Sequence, residues 1–376
     1  MLYVEIKRIL IIWFFLILII FISFSLTFSD IICPSCGTKN PDNYNFCDKC
    51  GTSLNCVTFL WKYETGDFVS SSPYVLGNMI YVGSYDKYIY CISANDGTLI
   101  WRYKTGGRVF SSPYVIDDTV YIGSDDNYIY CLSTGHGKLK WRYKTSDWVV
   151  SSPFVIYDKV YVGSKDGSIY CFSANKGKLI WKYDIGYPIW SSPYVEDNRV
   201  YIGSHDCYIY CLTANDGKLI WSYETDGCVS SSPFVIEDRV YIGSDDNYIY
   251  CLSTNDGSLI WRFETSGYVF SSPLVIYGRV YVGSNDNYIY CISADDGTLI
   301  WKYKTDDYVK SSPSIIDGKV YIGSNDGFVY CLSADDGTFL WKYRAGYSVS
   351  SSPFVIKDKI YVGSWDKYIY CIKDIK

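Results

Sequence analysis

The chain has 376 residues, of which 48% are hydrophobic and 20% charged, and its formal net charge at pH 7 is −6. This is the composition of a folded protein with a mildly acidic surface, and it argues against nucleic acid as the main partner, which requires a basic patch or stripe. The 15 cysteines fall into three groups: four near the start, eight at one position of a repeat, and Cys56, Cys207 and Cys228.

The first predicted element is an apolar segment at residues 9–28, ILIIWFFLILIIFISFSLTF, which has no charged residue. Its length is enough to cross about 30 Å of hydrocarbon as a helix. Lys7 and Arg8 precede it and Asp30 lies just after it. This charge distribution predicts a cytoplasmic N-terminus at residues 1–8 and an extracytoplasmic location for the chain from residue 30 onward.

A cleaved secretory signal peptide is the alternative interpretation of residues 9–28. The apolar run is long for a signal peptide, and no small-x-small cleavage site comes after it. We therefore expect a single-pass membrane protein with an uncleaved signal anchor.

Residues 33–51, CPSCGTKNPDNYNFCDKCG, contain two CxxC pairs, Cys33 with Cys36 and Cys47 with Cys50. Two such turns direct four thiolates to one point, which suits tetrahedral Zn²⁺, and a site closed by four thiolates is structural because it leaves no position for water. The segment resembles the short zinc ribbons found near protein termini. The alternative is a pair of disulfides, which an extracytoplasmic location would favour unless zinc is bound.

After a linker at residues 52–56, a unit of 40 residues occurs eight times. The unit at 229–268 reads VSSSPFVIEDRVYIGSDDNYIYCLSTNDGSLIWRFETSGY. Three residue types keep the spacing without a slip: prolines from Pro73 to Pro353, tryptophans from Trp61 to Trp341, and cysteines from Cys91 to Cys371. A fixed period of this length indicates a repeat architecture.

Each unit predicts four strands, which we call A, B, C and D. In the unit 229–268 they are expected at about 230–236, 239–244, 248–253 and 258–265, separated by hairpin-type turn residues. Strands B and C are apolar on both faces, as expected when each sheet packs between two others. The charges of strand D suit an outer edge.

Four-stranded units around a ring form a β-propeller. The sequence therefore predicts an all-β, eight-bladed propeller at residues 57–373. The first element, residues 57–65, is a D strand with no A, B or C before it, whereas residues 350–373 supply A, B and C with no D after them. We expect the N-terminal strand to complete the last blade and close the ring.

The run CISANDGTLIW at residues 91–101, with SSPYV and IYVGS upstream, resembles the pyrroloquinoline-quinone (PQQ) type of propeller repeat. That family has the pattern Ala-x-Asp-x-x-x-Gly-x-x-x-Trp, in which each Trp docks between blades. Here Cys91 stands at the Ala position, Ser93 at the Asp position, and Gly97 and Trp101 are in place. The resemblance covers residues 57–373 and implies eight structural Trp side chains.

The PQQ-like family includes quinoprotein dehydrogenases as well as non-catalytic scaffolds, such as the lipoprotein that assists outer-membrane β-barrel assembly, so the fold does not settle the function. The resemblance implies that a dehydrogenase would carry an adjacent Cys-Cys pair beside its cofactor, a Ca²⁺ site and long inserted loops. This chain has no Cys-Cys pair, units of uniform length, and only two histidines, His136 and His205. We expect no enzymatic activity and no PQQ, and keep a PQQ-dependent dehydrogenase as the alternative.

Positions that differ between the units are free to carry function, and they cluster in the D-to-A connections and the B-to-C turns, which lie on one face of a propeller. Three of the twelve Trp, namely Trp148, Trp190 and Trp365, fall in this set. We predict that this face binds a protein partner at the membrane surface. The predicted contact residues are Phe68, Arg108, Trp148, Trp190, His205, Tyr268, Tyr308, Lys310 and Trp365. Loop drift with aromatic plugging of the channel, or carbohydrate binding by exposed Trp and Tyr, are the alternatives.

The Asp inside each B-to-C turn, from Asp86 to Asp366, is predicted to bond its own backbone and not to form a catalytic ring. The eight repeat cysteines are predicted to be small buried core residues and not disulfides. Cys207 and Cys228 should lie on the same face as the variable positions, with a disulfide or metal site as one interpretation.

Overall fold

The computed structural model describes residues 31–33, 36–40, 47–49 and 56–375. The chain divides into two units, Met1–Leu54 and Asn55–Lys376. The predicted signal anchor at 9–28, the N-terminal residues 1–8 and Cys50 lie outside the described residues. Among the residues that are described, no helix has the length and apolar character needed to span a membrane. In the first unit, β1 (Ile31–Ile32) pairs antiparallel with β2 (Lys39–Asn40).

The second unit, as far as it is described, consists of eight four-stranded antiparallel sheets, as predicted. The A strands are β4 (Tyr74–Leu76), β8 (Tyr114–Ile116), β12 (Phe154–Ile156), β16 (Tyr194–Glu196), β20 (Phe234–Ile236), β24 (Leu274–Ile276), β28 (Ser314–Ile316) and β32 (Phe354–Ile356). The B strands are β5 (Met79–Gly83), β9 (Thr119–Gly123), β13 (Lys159–Gly163), β17 (Arg199–Gly203), β21 (Arg239–Gly243), β25 (Arg279–Gly283), β29 (Lys319–Gly323) and β33 (Lys359–Gly363).

The C strands are β6 (Tyr88–Ser93), β10 (Tyr128–Ser133), β14 (Ser168–Ser173), β18 (Tyr208–Thr213), β22 (Tyr248–Ser253), β26 (Tyr288–Ser293), β30 (Phe328–Ser333) and β34 (Tyr368–Asp374). The D strands are β7 (Leu99–Lys104), β11 (Leu139–Lys144), β15 (Leu179–Asp184), β19 (Leu219–Glu224), β23 (Leu259–Glu264), β27 (Leu299–Lys304), β31 (Phe339–Arg344) and, for the last blade, β3 (Val57–Glu64). Blades are numbered 1 to 8 from β4 to β32. The A strands of neighbouring blades contact one another in six of the eight pairs, so the A strands surround the central channel.

The N-terminal strand closes the ring, as predicted. Strand β3 pairs with β34, from Val57 opposite Asp374 to Glu64 opposite Tyr368. A second closure runs around the channel, where the backbone N–H of each second serine of the Ser-Ser-Pro motif donates to the hydroxyl of the equivalent serine one blade further on. Eight such bonds of 2.9–3.0 Å start with Ser72 to Ser112 and end with Ser352 to Ser72.

The A strands are shorter than predicted. In blade 5 the expected strand 230–236 is reduced to Phe234–Ile236. Pro233 has no N–H for a sheet ladder, the Ser231 hydroxyl accepts the N–H of Gly243 at 3.1 Å, and the N–H of Ser232 bonds the next blade. Residues 231–233 therefore bond strand B and the next blade through the Ser231 side chain and the Ser232 N–H and do not extend the sheet ladder.

Each repeat Trp docks against the following blade, as the resemblance implied. Trp221 is 7% exposed, and its indole N–H donates to the carbonyl oxygen of Thr254 at 2.9 Å. Gly257 lies against the ring, and a Cβ built on it would come within 2.7 Å of Trp221. The repeat cysteines are also buried as predicted: Cys251 is 0% exposed, and burial raises the pKa of its thiol to about 12.

The junction between blades 7 and 8 is built differently. At six of the other junctions the Trp indole N–H donates to a backbone carbonyl oxygen, but here the Trp341 indole N–H donates to the Asp374 carboxylate at 3.1 Å. The Tyr321 hydroxyl donates to the same carboxylate at 2.6 Å, and Lys319 Nζ lies 2.7 Å from it. Because Asp374 is also paired with Val57 in the β3–β34 ladder, one residue links the strand that closes the ring to the junction between blades 7 and 8.

Candidate functional site

The D-to-A connections and the B-to-C turns lie together on one face, which we call the mouth face. The N–H of Asp125, in a turn, donates to the carbonyl oxygen of Arg108, in a connection, at 2.8 Å. The mouth face comprises residues 65–73 and 84–87 and their equivalents every 40 residues.

The repeated Asp of each turn fastens the mouth face together. The Asp246 carboxylate accepts the N–H of Tyr248 at 3.0 Å, which confirms its role as a turn residue. The same carboxylate accepts the Tyr250 hydroxyl at 2.7 Å and the N–H of Asp226, in the preceding connection, at 3.0 Å. The Tyr and interblade bonds were not predicted, although the repeated Asp-x-x-x-Tyr spacing was visible.

A cavity of about 550 Å³ opens at the centre of the mouth face. It is lined by six of the eight ring serines, by the eight residues two positions before the ring serine of each blade, and by four turn residues. These are Ser72, Ser112, Ser152, Ser192, Ser232 and Ser272; Ser70, Phe110, Val150, Trp190, Ser230, Phe270, Lys310 and Ser350; and Tyr85, His205, Asp245 and Trp365.

Four of the nine predicted contact residues, Trp190, His205, Lys310 and Trp365, line the cavity. Phe68 stacks on Trp365, with ring centroids 5.3 Å apart and an interplanar angle of 8°. Trp190 stacks on His205 at 5.9 Å and 10°.

The remaining predicted residues flank the cavity. Lys165 lies between two indoles, 4.4 Å from the ring centre of Trp148 and 4.2 Å from that of Trp190. The Arg108 guanidinium lies 5.4 Å from the ring centre of Tyr85.

Tyr268 and Tyr308 belong to the same arrangement through the lining residues Phe270 and Lys310. Tyr268 meets Phe270 edge to face at 6.2 Å. Lys310 Nζ lies 5.3 Å from the Phe270 ring centre and 5.9 Å from that of Tyr308. The predicted residues thus belong to two groups of aromatic and cationic side chains at the cavity, one around Trp190 and Trp365 and one around Lys310.

Two carboxyl groups of this face have raised pKa values, and the sequence did not single them out. Burial, with the charge of Asp246 adding to it, raises the pKa of Asp245 to about 6, against a lowering by Lys310. Burial likewise raises the pKa of Asp125 to about 6, although Arg108 and Lys165 oppose it. Both residues precede the repeated Asp, at the turn position where other blades have Tyr, Lys, His, Asn or Trp. An Asp-Asp pair at that position is the signal that marks them.

His205 is the histidine of the cavity. Burial first, and then the charge of Lys165, lowers its pKa, so the ring is neutral at pH 7. Its Nε2 lies 2.9 Å from the Ser230 hydroxyl, which is the spacing of a nucleophile and its base. Within the described residues no carboxylate bonds the other ring nitrogen, so the pair lacks the orienting acid of a catalytic triad.

Three cysteine sulfur atoms of the first unit converge. The Sγ atoms of Cys33, Cys36 and Cys47 lie within 4.8 Å of one another, with Cys36 Sγ and Cys47 Sγ 3.5 Å apart. Ligands at about 2.3 Å from a tetrahedral Zn²⁺ are roughly 3.8 Å apart, so this group fits three corners of a zinc site. The amide of Asn40 lies 3.6 Å from Cys47 Sγ. The fourth predicted ligand, Cys50, is outside the described residues.

Comparison with known protein families shows which family models match this chain. The family described as the beta-propeller of the beta-alanine-activating enzyme matches residues 50–239, which are 190 of the 376 residues. The chain belongs to this β-propeller family. The family described as outer membrane protein assembly factor BamB matches residues 208–316 and 309–373, and a zinc-ribbon family matches residues 32–54. The sequence matches no curated protein.

Solved structures share the fold at low sequence identity. BamB from Moraxella catarrhalis superposes with a TM-score of 0.74 at 16% identity, covering 84% of this chain and 99% of that one. The computationally designed Ika8 protein gives 0.75 at 15% identity, with 83% and 98% covered. A europium-containing methanol dehydrogenase gives 0.73 at 15% identity, with 84% and 93% covered. These similarities establish the BamB-like propeller fold and leave a scaffold and a dehydrogenase equally compatible with it.

Proposed function

We propose that this protein is a membrane-anchored, non-catalytic scaffold whose mouth face binds a protein partner. The observation that carries the proposal is the exposure of large aromatic side chains in five of the D-to-A connections. The exposed fractions are 42% for Trp148, 56% for Tyr187, 52% for Tyr268, 46% for Tyr308 and 61% for Tyr347. Trp, Tyr and Arg are the residue types that dominate binding energy at protein interfaces.

The cavity composition supports a scaffold over a quinone-dependent enzyme. PQQ carries three carboxylates, whereas Lys310 is the one lysine or arginine of the lining, and its charge acts on Asp245. Asp245 is also the one carboxylate of the lining, and Ca²⁺ takes six to eight oxygen ligands, several of them from carboxylates. These residues do not fit the cofactor of the quinoprotein dehydrogenases. The BamB family, described as an assembly factor, gives further support to a protein-binding role.

Site-specific photo-crosslinking tests the proposal in cells. A benzophenone amino acid replaces Tyr268 or Tyr308 on the mouth face, and Tyr157 or Tyr277, which are 81% and 90% exposed in A-to-B turns of the opposite face, serve as matched controls. We expect one discrete crosslinked protein from the mouth-face positions and none from the controls. Equal crosslinking from both faces would refute a specific mouth-face interface.

A triple variant then tests the contribution of the aromatic residues. Replacing Trp148, Trp190 and Trp365 by Ala should abolish binding of the crosslinked partner to the purified protein while the melting temperature stays close to that of the parent. If the triple variant binds the partner as the parent does, these aromatic residues are not the binding surface.

Carbohydrate is the second candidate ligand, because Trp190 and Trp365 line a cavity that also contains ring-serine hydroxyls. A glycan array and a calorimetric titration with PQQ and Ca²⁺ separate the three functions. Binding of a glycan class would move the assignment to a carbohydrate-binding propeller, and stoichiometric PQQ binding would move it to a dehydrogenase.

The membrane anchor at residues 9–28 is part of the proposal. We expect the full chain to stay in the membrane pellet after carbonate extraction, and a variant lacking residues 9–28 to be released. Protease protection of intact cells or spheroplasts then reports on which side the propeller lies, for which we propose the extracytoplasmic side.

We also propose that Cys33, Cys36, Cys47 and Cys50 hold a structural Zn²⁺. When bound, the ion crosslinks the two CxxC turns and supplies no reactive position. Elemental analysis of the full chain should give one zinc per molecule, Cys47→Ser should lower it, and Cys207→Ser, in the propeller, should leave it unchanged.

A further inference from the structure

Two cysteines of the mouth face, Cys207 and Cys228, do not belong to the repeat. Cys207 lies in the B-to-C turn of blade 4, and Cys228 lies in the connection that leaves this blade. The Cys228 thiol donates to the carbonyl oxygen of His205 at 3.5 Å. The N–H and the hydroxyl of Thr225 both donate to the carbonyl oxygen of Cys207 at 2.8 Å. These bonds fasten the connection to the turn on either side of the two thiols.

Other blades show where the Cβ of Cys207 points. The equivalent residues in blades 3 and 7 are glycines with a similar left-handed backbone, φ +85° at Gly167 and +88° at Gly327, against +71° at Cys207. A Cβ on Gly167 would lie 2.8 Å from the nitrogen of Tyr187, and one on Gly327 would lie 3.4 Å from the oxygen of Tyr347.

Tyr187 and Tyr347 occupy the position of Gly227, the residue before Cys228. The Cβ of Cys207 is therefore directed at the peptide that leads into Cys228. A disulfide, whose Cα atoms lie roughly 4.4–6.8 Å apart, requires the two side chains to face each other in this way.

These two thiols also differ from the repeat cysteines in their accessibility to solvent. Cys211, in the same blade, is 0% exposed, and burial raises its pKa to about 12, so it does not form a thiolate near neutral pH. Cys207 and Cys228 are half-buried and accessible from solvent. Burial first, and then the neighbouring Cys228, raises the pKa of Cys207, which is a second sign that the two thiols face each other.

We propose that Cys207 and Cys228 are a reversible redox site, which closes into a disulfide by exchange with a low-molecular-weight disulfide. One cysteine, as thiolate, attacks a sulfur atom of the small disulfide and displaces one small thiolate. The other cysteine, as thiolate, attacks the protein-side sulfur of the mixed disulfide, forms the Cys207–Cys228 bond and releases the second small thiolate. Overall the two protein thiols lose two electrons and two protons, and the small disulfide gains them as two thiols.

The bond would tie the turn of blade 4 to the connection that carries Ser230, the hydrogen-bond partner of His205. One wall of the cavity would then be fixed by a covalent crosslink. Redox state would thereby set the mobility of the cavity wall at blade 4.

Peptide mapping of the full-length protein tests the proposal. The protein is equilibrated with glutathione buffers of increasing oxidised fraction, quenched with an alkylating agent and digested with trypsin, which cleaves at Lys218 between the two cysteines. We expect the peptides 200–218 and 219–239 to appear as a linked pair with the loss of two hydrogens, in most molecules at the oxidising end and reversibly. Fragmentation should place the bond on Cys207 and not on Cys211.

Single variants control the assignment. Cys207→Ser and Cys228→Ser should each leave the remaining thiol as a glutathione mixed disulfide, whereas Cys211→Ser should leave the linked pair intact. The proposal is overturned if the parent protein accumulates glutathione adducts at both cysteines without a linked pair, if neither cysteine reacts, or if the bond involves Cys211. The map of the parent protein decides the matter even where a variant folds poorly.

Discussion

The residues of the propeller fall into two sets, which we call layers: side chains that repeat in every blade and side chains that vary between blades. The repeated layer consists of Trp, Tyr, Cys, Gly and Asp side chains that make the same contacts at one blade junction after another, such as Trp221 with Thr254 and Gly257. The second layer consists of the mouth-face positions whose side chains vary between blades, such as Trp190 where blade 7 has Lys310. Packing in the first layer therefore determines stability, and the second layer is free to change composition, so substitutions in the two layers should have separable effects.

The largest effect is expected from Trp221→Ala in the repeated layer. Loss of this buried ring should lower the free energy of unfolding by about 3–5 kcal/mol, because it removes both the buried area and the packing at one junction. Trp148→Ala, which truncates a 42% exposed Trp of the mouth face, should change it by less than about 0.5 kcal/mol. Urea denaturation of both variants gives the comparison, and similar midpoints would show that the two layers are not separable.

Gly257→Ala should cost about 3 kcal/mol, because the new methyl group meets the Trp221 ring and the backbone has φ +73°. Gly278→Ala is the matched control, since Gly278 has φ +71° but nothing within 4 Å of an added Cβ. It should cost about 1 kcal/mol from backbone strain alone. Equal losses in thermal melts would mean that contact with the Trp ring contributes nothing.

Asp374→Ala tests the blade 7–8 junction, where a side chain replaces the backbone acceptor. It leaves the Trp341 indole, the Tyr321 hydroxyl and Lys319 without their partner, and we expect a loss of about 2–3 kcal/mol. The control is Asp358→Ala, which breaks the half-exposed ion pair between Asp358 and Lys373 and should cost about 0–1 kcal/mol. Chemical denaturation of the two variants distinguishes a joint that closes the ring from an ordinary surface pair.

The smallest effect is expected in the mouth face, where substitutions of two neighbouring Asp residues should change the stability in opposite directions. The pKa of Asp245 is raised to about 6 by burial, so the folded protein binds this proton more tightly than the unfolded chain does. Stability is therefore lost as the pH rises from about 4 to 6. Asp245→Asn should remove this loss and stabilise the protein at pH 7 by about 1 kcal/mol, given the solvent screening of the site. Asp246→Asn weakens the repeated turn and should instead destabilise the protein. Melting curves at pH 4 and pH 7 should show that the two substitutions shift the melting temperature in opposite directions.

Much of the fold could be predicted because the relevant contacts repeat. The strict period fixed the number of blades, and the unpaired D strand at residues 57–65 fixed the closure. The short A strands were not predicted, because strand propensity does not show where Ser231 and Ser232 form hydrogen bonds. Ser231 bonds Gly243 in strand B, and Ser232 bonds Ser272 in the next blade. The nine contact residues were placed on one face by the loop positions alone. Their stacking pairs, and the buried carboxyl groups of Asp125 and Asp245, could not be predicted, because each depends on which side chains of adjacent blades meet.

The sequence by itself thus determined an eight-bladed ring closed by its N-terminal strand, with buried Trp and Cys in every blade and a Cys-rich segment before it. These features result from local patterns, namely strand alternation, turn residues and a constant spacing. Only the tertiary structure decided the cavity and its charge state, the Asp374 joint, and the approach of Cys207 to Cys228. Those features arise between residues that lie far apart along the chain or in different blades, where burial and the identity of the facing side chain, rather than the local sequence, set the energy.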